Sequence, residues 1–591
     1  MKKNLLALTV LLVSTASLFG QTFMQNPYGR GNVQSLNGKW DAIIDAYCRG
    51  EERKFYLLKT PQKKTDFVEY SFDHALQLNV PGDFNSQLPE LKYYEGNVWY
   101  RRKINLTEQN SNRKFVYFAG SNYISTVWLN GVLIGKHEGG FTPFQFEVTS
   151  QLQQGENNLV VLVNNNRKVD GIPAMNFDWW NYGGILRDVF FVETPSTYIS
   201  DYKIQLKKNS SDLIQGYVKL DAAISTQSVE LAIPELKIKQ KLTTDEKGLV
   251  RFEIKTKPIL WEPSNPKLYG VTLSTDADMV HDEIGFRSIE TKGCNIFLNG
   301  KSIFLKGVNF HEEIPQRIGR AYSESDAVMI LSEAKALGCN FIRTAHYPQN
   351  ERIVRIAEKM GLMLWEEIPL WQGIEFTNPI ILGKAKSMLQ DMIYRDKNRA
   401  GIVVWSIANE TQPSVGRDKV LIDLVAKTRE FDNSRLVSAA FDNAVFNNDS
   451  SCFQLNDNLA KVVDIVGINK YLGWYMPFPT EPERINWKIE LKKPVIISEF
   501  GGEALYGHHG SADEAQSWSE EYQEELYKKN LVAFKNIPNL CGIAPWVLFD
   551  FRSPTRLLPN YQDGWNRKGL VSDQGLRKKA WYIMHQFYKT K

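Results

Sequence analysis

The feature that most limits the fold is a pattern of run lengths in the C-terminal half. After Cys294, eight apolar, β-rich runs alternate with amphipathic stretches of roughly ten to eighteen residues. The runs are Ile303–Val308, Phe341–Arg343, Leu362–Trp365, Ile402–Ile407, Leu436–Ala440, Ile465–Ile468, Val495–Ser498 and Ile543–Val547. Unbroken apolar strands are buried on both faces, and each parallel pair needs a crossover, so the pattern predicts a (β/α)8 TIM barrel over residues 291–591. In such a barrel the chemistry sits where the strands end. Reading past each run in turn gives Asn309 and His311; Arg343 and His346; Glu366 and Glu367; Asn409 and Glu410; Asp442; Asn469 and Tyr471; Glu499; and Trp546. A barrel with a purely structural role has no need of so many carboxylates, imidazoles and amides on one rim.

Upstream the texture is different. Residues 21–195 carry short β-branched and aromatic runs separated by turn residues, which predicts an antiparallel β-sandwich. Within it Asn130-Gly131 joins Val127-Trp128-Leu129 to Val132-Leu133-Ile134, a hairpin signal in which both turn residues tolerate positive φ. Residues 196–290 repeat the strand pattern at roughly ten-residue spacing, which suits an immunoglobulin-like β-sandwich. The chain is therefore expected to be multidomain.

Composition narrows the partners. Lys and Arg number 71 against 67 Asp and Glu, a net charge of +4 with no basic stripe, so nucleic acid is not expected as a partner. Residues 1–20 read as a signal peptide: Lys2 and Lys3 precede the apolar run Leu5–Val13, and small residues lead to Gly20. The mature protein is thus expected to be exported, periplasmic or secreted, with no membrane insertion, since no other stretch is long enough to span a bilayer. The five cysteines lie far apart without CxxC spacing, which points to neither a disulfide framework nor structural zinc and leaves one long-range bridge open. His508-His509 has no third ligand spaced nearby, so no metal and no cofactor is expected. Association into a homo-oligomer is left open.

Glu410, after the fourth run, and Glu499, after the seventh, can face each other across the barrel mouth. Two carboxyls about 5–5.5 Å apart are what retaining glycoside hydrolysis requires, one protonating the leaving oxygen and the other attacking the anomeric carbon. Each disfavours ionisation of the other, which lets one remain protonated as the acid.

The segments Ile402–Glu410 (IVVWSIANE) and Ile496–Gly501 (IISEFG) resemble the acid/base and nucleophile segments of glycoside hydrolase family 2. Gly139–Phe144 and Asn181–Ile185 resemble that family's N-terminal, jelly-roll-like sugar-binding sandwich, and Thr344–Pro348 its second barrel strand. The resemblance implies Glu410 as acid/base, Glu499 as nucleophile, and Arg343, His346 and Asn409 as substrate-binding residues. Within the family the likeness is to the β-glucuronidases. It rests on Asn469–Tyr475, which carries Tyr471 and Tyr475, on Asp178 in Phe177–Trp180, and on Asn566-Arg567-Lys568. By that resemblance Asn566 and Lys568 hold the sugar's C6 carboxylate and Asp178 enters the sugar site from the first domain. Trp546 is expected to form the sugar platform.

Two departures stand out. Where similar β-glucuronidases carry an Arg shortly before the Asn, this chain has Gln562 in a longer loop, with Arg552 and Arg556 as candidate substitutes. The connection Leu370–Pro379 is also short where enzymes acting on small conjugates carry a covering loop, which suits an oligosaccharide substrate. The function expected is therefore a secreted retaining exo-β-glucuronidase active on oligosaccharides and used in polysaccharide degradation. A β-galactosidase or other neutral-sugar β-glycosidase is the alternative, and a non-catalytic carbohydrate-binding protein a more distant one.

Overall fold

The computed structural model describes residues 23–591 apart from 60–62, 66–69, 449 and 451. The leader expected over residues 1–20 lies outside the described residues. Three bodies follow one another. The first is an antiparallel sandwich of a six-stranded and a four-stranded sheet, closed over Trp40, Tyr100, Phe118, Phe144, Val161 and Phe191. Its Asn130-Gly131 turn has φ of 50° and 81°, and Leu129 pairs directly with Val132, the primed-turn geometry that matches strand twist. The second body packs a three-stranded sheet on a four-stranded one around Ile204, Val218, Leu231 and Leu273. A three-stranded antiparallel cap (Ile289–Lys292, Asn295–Leu298, Lys301–Ser302) then closes the bottom of the third body, burying Ile296 and Leu298 with Phe341, Met363, Val403 and Ile496.

The third body is the expected TIM barrel. Its first strand comes in two pieces: Leu305–Lys306 pairs with the last strand, and Asn309–Phe310 pairs with the second. Between them the Gly307 amide donates to the Ile543 carbonyl at 2.8 Å, and the Val308 carbonyl accepts from the Arg343 amide at 3.1 Å. One strand thus serves both edges, and the ring closes without a free edge. A side chain at Gly307 would meet Phe341 at 2.7 Å and Ala544 at 3.0 Å, so only glycine fits this seam. The next strands are Phe341–Thr344, Met363–Glu367, Ile402–Asn409, Leu436–Phe441, Ile465–Asn469, Val495–Glu499 and Leu540–Ile543, all parallel. The fourth, Ile402–Asn409, is buried along its whole length, which is why it reads as an unbroken apolar run.

Two expectations are corrected. The eighth strand ends at Ile543 rather than Val547 because Pro545 has no amide to extend the ladder. Residues beyond it still follow the seventh strand, with Ala544 and Trp546 amides donating to the Ile497 and Phe500 carbonyls, and this carries Trp546 to the rim. Among the described residues, crossover helices follow only six of the strands. After the fifth and sixth the chain makes the 3-10 turns Leu459–Lys461 and Pro482–Arg484 and a small sheet (Val445–Asn447, Cys452–Gln454, Asn486–Lys488). Pro477, Pro479 and Pro482 cannot sit in a helix interior, and Asn443, Asn447 and Asn448 favour turns.

The sandwich is locked to the barrel rim by a buried ion pair. Arg187 donates to Glu312 at 2.9 Å and to the carbonyls of Phe141 and Pro348, while Glu312 also accepts the Asn350 amide at 2.6 Å. Both side chains are almost fully buried. Arg187→Leu is expected to cost about 3–5 kcal/mol by leaving the Glu312 charge unpaired, read as a lower urea midpoint, and to loosen the segment that carries His346.

Candidate active site

The strand ends surround a cavity of about 520 Å³ whose wall is completed by Asn176–Trp179 of the sandwich. A larger cavity of about 670 Å³ lies between the central sandwich and the barrel helices. Its two lining acids, Glu253 and Glu430, are each paired with a lysine, Lys207 and Lys427. Size therefore does not locate the chemistry, whereas the rim does.

Glu410 and Glu499 both line the 520 Å³ cavity. Glu499 ends its strand almost fully buried, with one oxygen accepting from the Arg343 guanidinium at 2.5 Å and the other from the Tyr471 hydroxyl at 2.7 Å. Glu410 accepts from the amides of Asn469 and Gln372, each at 2.8 Å. Burial and the Glu499 charge push the Glu410 carboxyl up to about 8, so Glu410 keeps its proton at neutral pH. The backbone at Glu410 is left-handed, with φ of 51°. Hydrogen bonds fix this turn: the Asn409 amide donates to Leu370, the Gln372 amide to Asn409, and the Glu410 amide to Ala440. A non-glycine residue in this region carries a cost of about 1–3 kcal/mol, a strain typical of functional positions.

Arg343 is fully buried and makes no part of the cavity wall. Its five N–H groups are all committed, two to Glu367 and one each to Glu499, Asn309 and Asn409. The expectation that it binds substrate is thus corrected: no donor remains for a sugar, and Arg343 instead fixes Glu499 and Asn409. Asn409 likewise lies behind the wall, accepting from Arg343 at 2.7 Å and Asn469 at 3.1 Å. Its amide nitrogen is buried without a partner, next to Glu410 in sequence.

His346 lines the cavity, with Nδ1 2.7 Å from Glu367 and Nε2 3.9 Å from Glu499. Bonding of Nδ1 to a carboxylate assigns that nitrogen its proton. Although burial opposes it, Arg343 and His346 hold Glu367 down to about 2. Its neighbour Glu366 points the opposite way, out of the barrel toward Arg395, as strand alternation requires. Trp546 lines the cavity and also stacks on His346 at 4.8 Å, so most of its surface is packed.

The far end of the cavity departs most from expectation. Asp178 arrives from the sandwich and accepts from Ser553, Thr555, both guanidinium arms of Arg556, and Asn566. Burial pushes its carboxyl up, but Arg556 and Lys568 outweigh that and hold it below its ordinary value. Lys568 and Asn566 are buried behind the wall: the Lys568 ammonium bonds Glu503 at 3.1 Å and lies 4.8 Å from the Tyr475 ring. Gln562 also donates to Glu503. Of the two candidate substitutes, Arg556 lines the cavity, whereas Arg552 packs over Trp180 and Trp565. The free ammonium expected at Lys568 is therefore corrected to a paired one, in a subsite with two acids (Asp178, Glu503) and two bases (Arg556, Lys568).

Some lining residues escaped the sequence reading. Trp371 and Gln372 reach the cavity because Trp371 bridges to Asn409, four and five residues beyond the third strand, past the two positions read at each strand end. Glu503, four residues after Glu499, is fully buried behind the wall, where it pairs with Lys568, and a wider window after each strand is the signal that finds all three. His508 and His509 bond Ser517 and Glu521 separately. Among the described residues no group of three or more His, Cys, Asp and Glu forms a metal cage, and no helix is long and apolar enough to cross a membrane.

Sequence signatures of glycosyl hydrolases family 2 match three consecutive segments: its sugar binding domain over residues 33–195, its central domain over 197–287 and its TIM barrel domain over 289–538. The chain belongs to glycosyl hydrolase family 2. It is a glycoside hydrolase. A β-glucuronidase of Paenibacillus borealis is 25% identical to this family 2 chain, across 93% of it and 95% of the relative. A Formosa agariphila protein is 26% identical over 86% of this chain, which spans 66% of that protein's length. Among solved structures, a β-glucuronidase from an uncultured Clostridium superposes with a TM-score of 0.82 at 25% identity, covering 97% of this chain and 100% of the other.

Because Glu410 takes its proton near pH 8 in the folded enzyme and near the ordinary glutamate value when unfolded, raising the pH through this window is expected to remove stability. Glu410→Gln should then match the wild type in thermal midpoint near pH 4 and exceed it increasingly up to pH 8–9, a difference readable by scanning calorimetry. An unchanged gap across that range contradicts the shifted carboxyl.

Proposed function

We propose that this family 2 enzyme is a retaining exo-β-glucuronidase, with Glu410 as acid/base and Glu499 as nucleophile. The observation that carries the reading is the unequal pair in one cavity: a carboxyl held protonated to about pH 8 beside a carboxylate charge-matched by Arg343. In the first step Glu410 protonates the glycosidic oxygen while Glu499 attacks the anomeric carbon, giving a covalent glycosyl-enzyme. The leaving group departs, Glu410 then takes a proton from water, and attack of that water frees Glu499 with configuration retained. The Tyr471 phenol, kept protonated by burial and by Glu499, is a donor that steadies the nucleophile. Asn409, behind the wall, accepts from Asn469 and so positions the amide that Asn469 donates to Glu410.

A uronic acid as the sugar is supported by the β-glucuronidase names of the relatives and by Arg556 on the cavity wall with Lys568 behind it. Its carboxylate would have to draw Arg556 from Asp178 or Lys568 from Glu503. That charge balance favours a second reading, a neutral-sugar β-glycosidase whose hydroxyls bond Asp178 and Arg556. Export rests on the sequence of residues 1–20 alone and is tested by N-terminal sequencing of the mature protein.

Hydrolysis of a panel of nitrophenyl β-glycosides separates the two. The glucuronide is expected to be preferred, with kcat/KM falling as pH rises through about 8, where Glu410 loses its proton. A 2-fluoro-glucuronide should label Glu499, and Glu499→Gln should lose several orders of magnitude in kcat. Preference for the galactoside would give the specificity to the neutral-sugar reading, and an inverted product would overturn the double displacement.

A further inference from the structure

We propose that Gln372, on the loop after the third barrel strand, is a positioning residue for the acid/base: its side-chain amide and that of Asn469 clamp the two oxygens of Glu410 and keep the carboxyl in one place through both halves of the reaction. This deepens the glycosidase reading and rests on Glu410 as its acid/base. Gln372 Nε2 donates to one oxygen of Glu410 at 2.8 Å, and Asn469 Nδ2 donates to the other, also at 2.8 Å. Among the described residues no other side chain bonds either oxygen.

The loop is built to hold that amide still. Trp371 bridges to Asn409, the Gln372 backbone amide donates to the Asn409 carbonyl, and the Gln372 carbonyl accepts from the Ile374 amide, the last two at 2.9 Å. On one side Trp371 packs edge-on against Trp179 with ring centres 5.8 Å apart, and on the other Ile374 is buried in the core of the barrel. Gln372 has φ of 45° and Glu410 φ of 51°, so two non-glycine residues in the left-handed region stand side by side across the bridge. Such strain persists only where the surroundings over-determine it, and it gathers at functional positions.

A neutral amide suits this place because Glu410 must act as an acid in one step and as a base in the next. Each carboxyl oxygen offers two lone-pair sites, so with one taken by an amide N–H the other is free for the proton. Both anchors therefore stay in place whether or not Glu410 is protonated. A cation at position 372 would also hold the carboxylate but would ionise it, as at Glu367, where burial is outweighed by Arg343 and His346 and the carboxyl is held down to about 2. The titratable groups that face Glu410 are Glu499 from the seventh strand, Asp442 after the fifth and Tyr471 after the sixth; burial first, and then the two carboxylates, favour its protonated form. Lys470 lines the same cavity but acts on Asp442 and donates to the Ala444 carbonyl at 2.6 Å, while Arg343 and His346 face Glu499. The neutral donor thus fixes the acid without taking its proton.

The test compares Gln372→Met with Gln372→Lys, two changes of similar bulk at an exposed position. Each is assayed on the nitrophenyl β-glycoside that the wild type cleaves best and on the methyl glycoside of the same sugar. Removing the donor in Gln372→Met should move the basic limb of the kcat/KM profile up by about half a pH unit, the scale of one hydrogen bond shared with water. The ammonium of Gln372→Lys should move it down by about one pH unit. Gln372→Met should also lose about tenfold more on the methyl glycoside, whose poor leaving group needs the proton, than on the nitrophenyl glycoside. Unmoved limbs, limbs that move the same way, or an equal loss on both substrates overturns the positioning role. Added azide is expected to restore nitrophenyl hydrolysis in Glu410→Ala. If it does not, Glu410 is not the acid/base, and that reading falls together with this proposal; if it does while the limbs stay fixed, the role of Gln372 alone falls.

Discussion

The site depends on one buried guanidinium. Arg343 rises from the second barrel strand into a region with no water to solvate it, and an unpaired charge there would be strongly destabilising. It persists because five acceptor contacts from the first, third, fourth and seventh strands meet its five donors. The same contacts position Glu499, Asn409 and Glu367, and Glu367 in turn orients His346. One interaction therefore holds the ring of strands in register at its mouth and points the reactive groups inward, as a preorganised site demands.

Burial and the charge balance of this cluster explain why Glu410 keeps its proton. Arg343 offers one positive charge to two buried carboxylates, Glu367 and Glu499. A third negative charge on Glu410 would have no cation to meet it, and its neighbours Asn469 and Gln372 are neutral amides. Glu410 accordingly keeps its proton to about pH 8. At the opposite end the four charges Asp178, Glu503, Arg556 and Lys568 cancel, and they come from two domains. The sandwich is thus part of the site: Arg187 and Glu312 fasten it to the rim, and Asp178 then reaches Arg556 across the joint.

Much of this was legible in the chain, and the reasons differ from residue to residue. The barrel could be read because strands buried on both faces leave long apolar runs, and Glu410 and Glu499 because they stand directly at the ends of such runs. Pro545 and the prolines between Pro477 and Pro482 carried a local signal that the simple eightfold pattern overlooked, and they displaced the last strand and removed a helix. Trp371, Gln372 and Glu503 stand four or five residues past the ends of their strands, where no apolar run marks the rim.

Run length, alternation and turn chemistry are properties of neighbouring residues, so the sequence by itself determined the order of the three bodies, the ring of strands and the residues gathered on its rim. The partner of each rim side chain was decided only by tertiary structure. Arg343 could have faced a sugar or a carboxylate; its bond to Glu499 spans 156 residues of chain. Lys568 could have been a free ammonium; Glu503, 65 residues away, supplies its counter-charge. Asp178 meets Arg556 across 378 residues. Such pairings follow from burial, which forces every charge to find an opposite one, and burial is a property of the assembled fold rather than of any local stretch of sequence.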